Sequence, residues 1–137
     1  MLQSAGLRIG NILEFDGVWC PVTAIDHKLE SLSNSPLQDG KHAFTELSSG
    51  RIKEVAITEE VLHCAYFEKT KRITETINKY SISSKKFVLY FNGEYAGLIT
   101  SLPRSVPIHY LHQLQNLYFS LIGEELAINL PVPVPTM

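Results

Sequence analysis

Six cations, Lys69, Lys71, Arg72, Lys79, Lys85 and Lys86, crowd the stretch from Glu68 to Lys86 against the acids Glu68 and Glu75. Tyr66, Phe67 and Tyr80 are interleaved with them. Ammonium and guanidinium groups bind phosphate oxygens and aromatic faces stack on bases, so this mixture is the chemistry of a site for a nucleotide-type anion. In an extended segment residues two apart share a face, which would put Lys69 and Lys71 on one side of such a site. Trp19, Arg51 and Arg104 would supplement it, Arg being the better fork for phosphate. The plainer alternative is a solvated, Lys-rich strand or loop face that keeps a sheet edge from pairing with other chains.

The remaining reactive residue types do not assemble into a motif. His109 and His112 stand three apart on a predicted helix and would share a face, but two ligands make no zinc site, and His63 and Cys64 match no zinc spacing. Adjacent helical residues point about 100° apart, so His63 cannot activate Cys64 as a nucleophile. Glu59-Glu60 suit a helix N-terminus and Glu124-Glu125 a turn, neither being an acid/base pair held in a cleft. GxSxG, Walker, GxGxxG, HExxH and kinase signatures are absent from the sequence. The expectation is a protein that is not an enzyme and uses no metal and no cofactor.

The elements that must position these residues are legible from period and punctuation. LRIGNILEFDGVWCPVTAI, residues 7–25, reads as two β runs about Asp16-Gly17, with Pro21 confining the second to an edge or a bulge. Residues 26–41, rich in Ser, Asn, Pro, Asp and Gly, read as a loop. A short strand is expected at 42–47, turning through Ser48-Ser49-Gly50 into 51–57. Thr58 reads as an N-cap opening a helix over 58–66, with Val61, Leu62, Ala65 and Tyr66 on its core face. The polar stretch 67–86 reads as strand, and KKFVLYF-NG-EYAGLIT, residues 85–100, as a hairpin around Asn92-Gly93 closed by Pro103 and Pro107. A second helix over 109–122 carries an apolar stripe of Leu111, Leu114, Leu117 or Tyr118, and Leu121, with Gly123 ending it. Gln113, Gln115, Asn116 and Tyr118 are then its polar outer face or a contact to a homo-oligomeric partner. The alternating prolines of 131–135 favour an extended tail.

With 137 residues and a 45% apolar content the chain has the size and composition of one globular domain. Its formal net charge of −2 argues against duplex nucleic acid, whose affinity comes from many cations on phosphates. Cys20 and Cys64 read as buried thiols of a reducing compartment, and their pairing is undecided by sequence. The N-terminus lacks the charged-then-apolar pattern of a secretory leader, and no apolar run approaches a membrane span, so a cytoplasmic location is expected.

Three stretches carry a resemblance. Residues 108–126, IHYLHQLQNLYFSLIGEEL, are similar to the C-terminal HQLQNLYxxLTGEEL element of a group of small uncharacterised proteins of Bacteroidetes genomes and their phages. LRIGNILEFDGVWCPVTAID and AITEEVLHCAYFEK resemble two further segments of that group in the same order, so the likeness spans residues 7–130. Ile122 stands where the group often has Thr, and Ala65-Tyr66 where a Gly usually precedes the Phe. The region from Glu68 to Ser84 matches least and is where ligand specificity would lie. The resemblance brings no activity with it; its phage setting implies a host-takeover or anti-defence role in the host cytoplasm, such as binding and sequestering a nucleotide signal.

The expected fold is α+β, antiparallel β-hairpins forming a twisted sheet or small SH3-like open barrel with two packed helices. The expected function is a non-catalytic protein that binds a small anionic nucleotide-type signalling molecule through Lys69, Lys71, Arg72, Lys85, Lys86, Tyr80, Trp19, Arg51 and Arg104. Two alternatives stay open: a protein-interaction module or inhibitor acting through the second helix or the Pro-rich tail, and a single-stranded nucleic-acid binder.

Overall fold

A computed structural model of the protein describes residues 3–34, 43–82, 87–94, 96–97 and 107–130. Its first hairpin, β1 (Ile12–Phe15) and β2 (Val18–Pro21), turns at Asp16 and Gly17, whose φ angles of +50° and +85° are the left-handed pair a two-residue turn of this hand requires. The alternation of β1 turns Leu13 and Phe15 inward. Part of the expected 26–41 loop is a hairpin instead. β3 (Ala24–Asp26) pairs with β4 (Ser31–Ser33) because the Asp26 carboxylate accepts the amides of Lys28 and Leu29 at 3.0 and 3.1 Å, tying the intervening turn. The serines that made β4 look like loop are buried around Leu32, Ser31 donating to the Leu29 carbonyl at 3.2 Å. Residues 35–42 lie outside the described residues. β5 (Thr45–Glu46) completes the sheet β3-β4-β5, and β6 (Ile52–Lys53) joins β1 in the sheet β2-β1-β6, leaving β2 with its proline at an edge. Leu7, Leu13, Phe15, Val22, Leu32 and Ile52 form the core of this first unit, whose described residues run from Gln3 to Val55 with Leu130.

The second unit, residues 56–129, begins with α1 (Glu59–Cys64). The Thr58 hydroxyl caps it, accepting the Val61 amide at 3.1 Å. The helix stops at Cys64, short of the expected 66, because Tyr66 adopts φ +64° while its amide bonds to the His63 carbonyl at 3.0 Å and that of Phe67 to Leu62 at 2.9 Å. That paired closure is a Schellman turn with Tyr in the position ordinarily given to Gly. β7 (Glu68–Arg72), β8 (Asn78–Ile82), β9 (Phe87–Phe91) and β10 (Ala96–Gly97) follow as an antiparallel sheet in the order β10-β9-β8-β7. Phe91 pairs with Ala96, so the strands are not joined by the two-residue Asn92-Gly93 turn; Gly93 has φ +96°, and Asn92 accepts the Glu94 amide through its side chain.

α2 (Leu111–Ile122) starts two residues later than the apolar period suggested, with the Gln113 side chain accepting the amides of His109 and Tyr110 at 3.0 and 3.1 Å. Its buried positions are Leu111, His112, Leu114, Gln115 and Tyr118, while Leu121 is 58% exposed. The stripe is thus rotated toward the polar side relative to expectation: Gln115 belongs to the inner face and Leu121 to the outer. Gly123, at φ +84°, ends the helix. Phe87 is the hub of this core, its ring 6.0 Å from Phe67 and 4.9 Å from Tyr118. The protein is a mixed α+β fold, and the described residues form three antiparallel sheets that remain open, with two α-helices. Among the described residues no helix is long and apolar enough to cross a membrane.

Candidate functional site

A cavity of about 660 Å3 opens in the second unit, where the end of α1 and the start of β7 meet Tyr118 of α2 and the segment after it. Buried Phe67, Tyr118 and Leu126, with half-buried Ile82, form its apolar floor. Its rim carries the carboxylates of Glu68, Glu124 and Glu125, the imidazole of His63 and the ring of Tyr66, which is 57% exposed. No Lys or Arg lines it among the described residues. The volume falls in the range of small-molecule sites, and the lining is divided about evenly between polar and apolar surface. The left-handed turn at Tyr66 aims this rim: an aromatic residue occupies a backbone conformation that L-residues adopt at a penalty, and such outliers gather at functional places.

The predicted basic site is divided. Lys69 lies opposite Tyr80 on the inward side of the sheet, and both serve one carboxylate: Glu59 accepts the Tyr80 hydroxyl at 2.9 Å and meets the Lys69 ammonium at 2.8 Å. Hydrogen bonds from Lys69 and then Tyr80 hold the Glu59 carboxyl below its usual range. Burial, reinforced by Glu59, pushes the Tyr80 phenol up to about 12, and its ring, 1% exposed, is a core group unable to stack on a base. Lys71 goes to the other side. The register shifts between Lys69 and Lys71, so Thr70 is a bulged extra residue, its hydroxyl reaching the Lys79 carbonyl at 3.4 Å. The shared face expected from two-residue spacing is therefore broken. Lys71 pairs across the ladder with Lys79, which in turn lies opposite Tyr90 on β9. Arg72 pairs with Asn78 and donates to the Thr74 carbonyl at 3.3 Å.

Arg51 and Trp19 belong to the first unit. The Arg51 fork is already engaged by Asp16, with contacts of 2.6 and 3.0 Å, and this hydrogen-bonded pairing lowers the Asp16 carboxyl and raises the guanidinium. Trp19 is half-buried on β2 opposite Glu14. Lys85, Lys86, Arg104 and the Pro-rich tail lie outside the described residues.

Two arrangements escaped sequence reasoning. The cavity joins residues sixty positions apart, and its only sequence signal was the Tyr66-Phe67 pair beside Glu68. In the first unit the Ser4 hydroxyl donates to Glu30 and lies 2.8 Å from His27 Nδ1, while its amide donates to Glu30 at 3.1 Å. Ser4 is 1% exposed and its proton is committed to Glu30, so this is a clasp between the N-terminal turn and the β3–β4 turn, not an activated nucleophile. Cys20 and Cys64 are free thiols, both half-buried rather than buried. Among the described residues no group of three or more His, Cys, Asp or Glu is placed to hold a metal ion. Comparison with family models, curated proteins and solved structures finds no match to this chain.

Proposed function

We propose that the protein is a non-catalytic binding protein whose second-unit cavity receives a cation carried on an apolar body, such as an alkylammonium or guanidinium compound. The observation that carries this reading is the lining: three carboxylates and an exposed tyrosine ring around an aromatic and aliphatic floor. Carboxylates take the charge, the Tyr66 face adds a cation–π contact, and Phe67, Tyr118 and Leu126 cover the aliphatic stem. Enclosing a small anionic nucleotide there, the expectation from the basic segment, would need cations in the wall, and the described lining supplies acids.

Isothermal calorimetry with spermidine, agmatine and arginine methyl ester, against cyclic nucleotides as the opposed panel, tests the reading. Saturable heat with the cations, weakened by Glu124→Gln and Glu125→Gln, is expected. Heat from the nucleotides alone would sink it. A second reading, a protein-interaction module acting through α2, is favoured by Phe119 and Leu121, exposed by 41% and 58%. It predicts a stoichiometric protein partner lost on Leu121→Asp with cation heats unchanged.

A further inference from the structure

The face of the four-stranded sheet opposite Tyr80 carries a row that runs across three strands, Lys71 on β7, Lys79 on β8 and Tyr90 on β9. None of the described residues on this face is buried, the next row of Glu68, Ser81 and Val88 included, and Glu68 is the one acid in these two rows. Lys71 and Lys79 are direct cross-strand partners, and like charges in that relation destabilise a ladder. Neither ammonium has an ion-pair partner among the described residues. Protection of a sheet edge accounts for a lysine on β7, the edge strand, but not for one on β8, which has neighbours on both sides. An unfavourable pair kept on an inner strand is explained if a negative group bridges it, and the ring beside the pair supplies a stacking surface.

We propose that this face binds single-stranded nucleic acid, the two ammonium groups holding backbone phosphate and Tyr90 stacking on a base. The bulge at Thr70 is what makes the arrangement: it turns Lys71 onto the side of Lys79 and Tyr90, while Lys69 stays with Glu59. A sheet surface is open along its length, so it suits a strand that passes over it better than a molecule that must be enclosed. Stacking on a π face tolerates any base, and phosphate contacts are independent of sequence, so little sequence preference is expected. The reading is independent of the cavity, which shares none of these three side chains.

Fluorescence anisotropy with a labelled oligothymidylate of about ten nucleotides, within the span of one small stacking platform, provides the test, with thermal melting of each protein alone. Binding that weakens with salt is expected, its log–log slope shrinking by about 0.7 on Lys79→Gln. Lys79→Glu should weaken binding roughly tenfold or more and yet raise the melting temperature, because it converts a like pair into an opposite one. Tyr90→Leu should weaken binding by roughly fivefold or more without altering the salt slope. The proposal is overturned if the wild-type protein shows no salt-dependent binding, if Lys79→Glu binds as wild type, or if inorganic polyphosphate or a duplex of the same length binds as tightly as the single strand.

Discussion

Tyr66 joins backbone strain to an exposed ring, and the two properties predict opposite responses to one substitution. Tyr66→Gly removes the left-handed penalty on a side chain and adds some unfolded-state entropy, for a net stabilisation of about 0.5 to 1 kcal/mol, measurable by urea unfolding. The same change deletes the rim aromatic, and affinity for a cation should fall roughly 2- to 30-fold. A fold-only role for Tyr66 predicts the first effect without the second. His112 offers a second test at this scale. Burial lowers its imidazole to about 4, and the Tyr110 ring stacks on it with centroids 6.0 Å apart. The folded pKa lies below the unfolded value, so the contribution is whole above about pH 6.5 and is lost as pH falls toward 4, amounting to about 3 kcal/mol. Stability measured across this window should fall more steeply for the wild type than for His112→Gln, the carboxylates that titrate toward its lower end acting alike in both.

The elements show where local chemistry decides structure and where it does not. The cap on α1 is a single hydrogen bond from a named hydroxyl, and Thr58→Ala should lower stability by about 1 kcal/mol in chemical denaturation. Asp16-Gly17, Thr58 and Gly123 were legible because each acts within four residues of itself. The β3–β4 hairpin was not, since three buried residues, two of them serines, leave no apolar period; what builds it is an Asp26 turn and pairing to sequence-distant β5. The inner face of α2 was misread at Gln115 and Leu121 because helical period defines a stripe but not its rotation about the axis, which the packed neighbours choose. The basic segment holds two strands about a turn, and the face expected to be shared by Lys69 and Lys71 was lost at one residue: a bulge has no signature in a Thr between two lysines, and it undoes every face assignment beyond it. The cavity stayed invisible because its floor and rim come from α1, β7, β8 and the end of α2, brought together only by tertiary packing.

At the scale of the molecule, a small net charge says little about where charge stands. A net charge of −2 conceals an acid-rimmed cavity and a lysine-bearing sheet face within the same second unit. Composition therefore bounded bulk behaviour and left both candidate surfaces unseen. The two cysteines fall in different units and are free, so the intact mass should be unchanged by reductant and two thiols should titrate in denaturant; a two-dalton gain on reduction would contradict this. Thr70 leaves a last consequence, written in the gene rather than in the energy. Glu68 and Lys69 face Ser81 and Tyr80, Lys71 and Arg72 face Lys79 and Asn78, and these partners are consecutive along β8. A three-nucleotide loss at codon 70 would splice the two halves into an uninterrupted ladder with every surviving side chain on its present side. The hairpin thus carries a spare residue, and shortening the chain there should be better tolerated than shortening it at either neighbour.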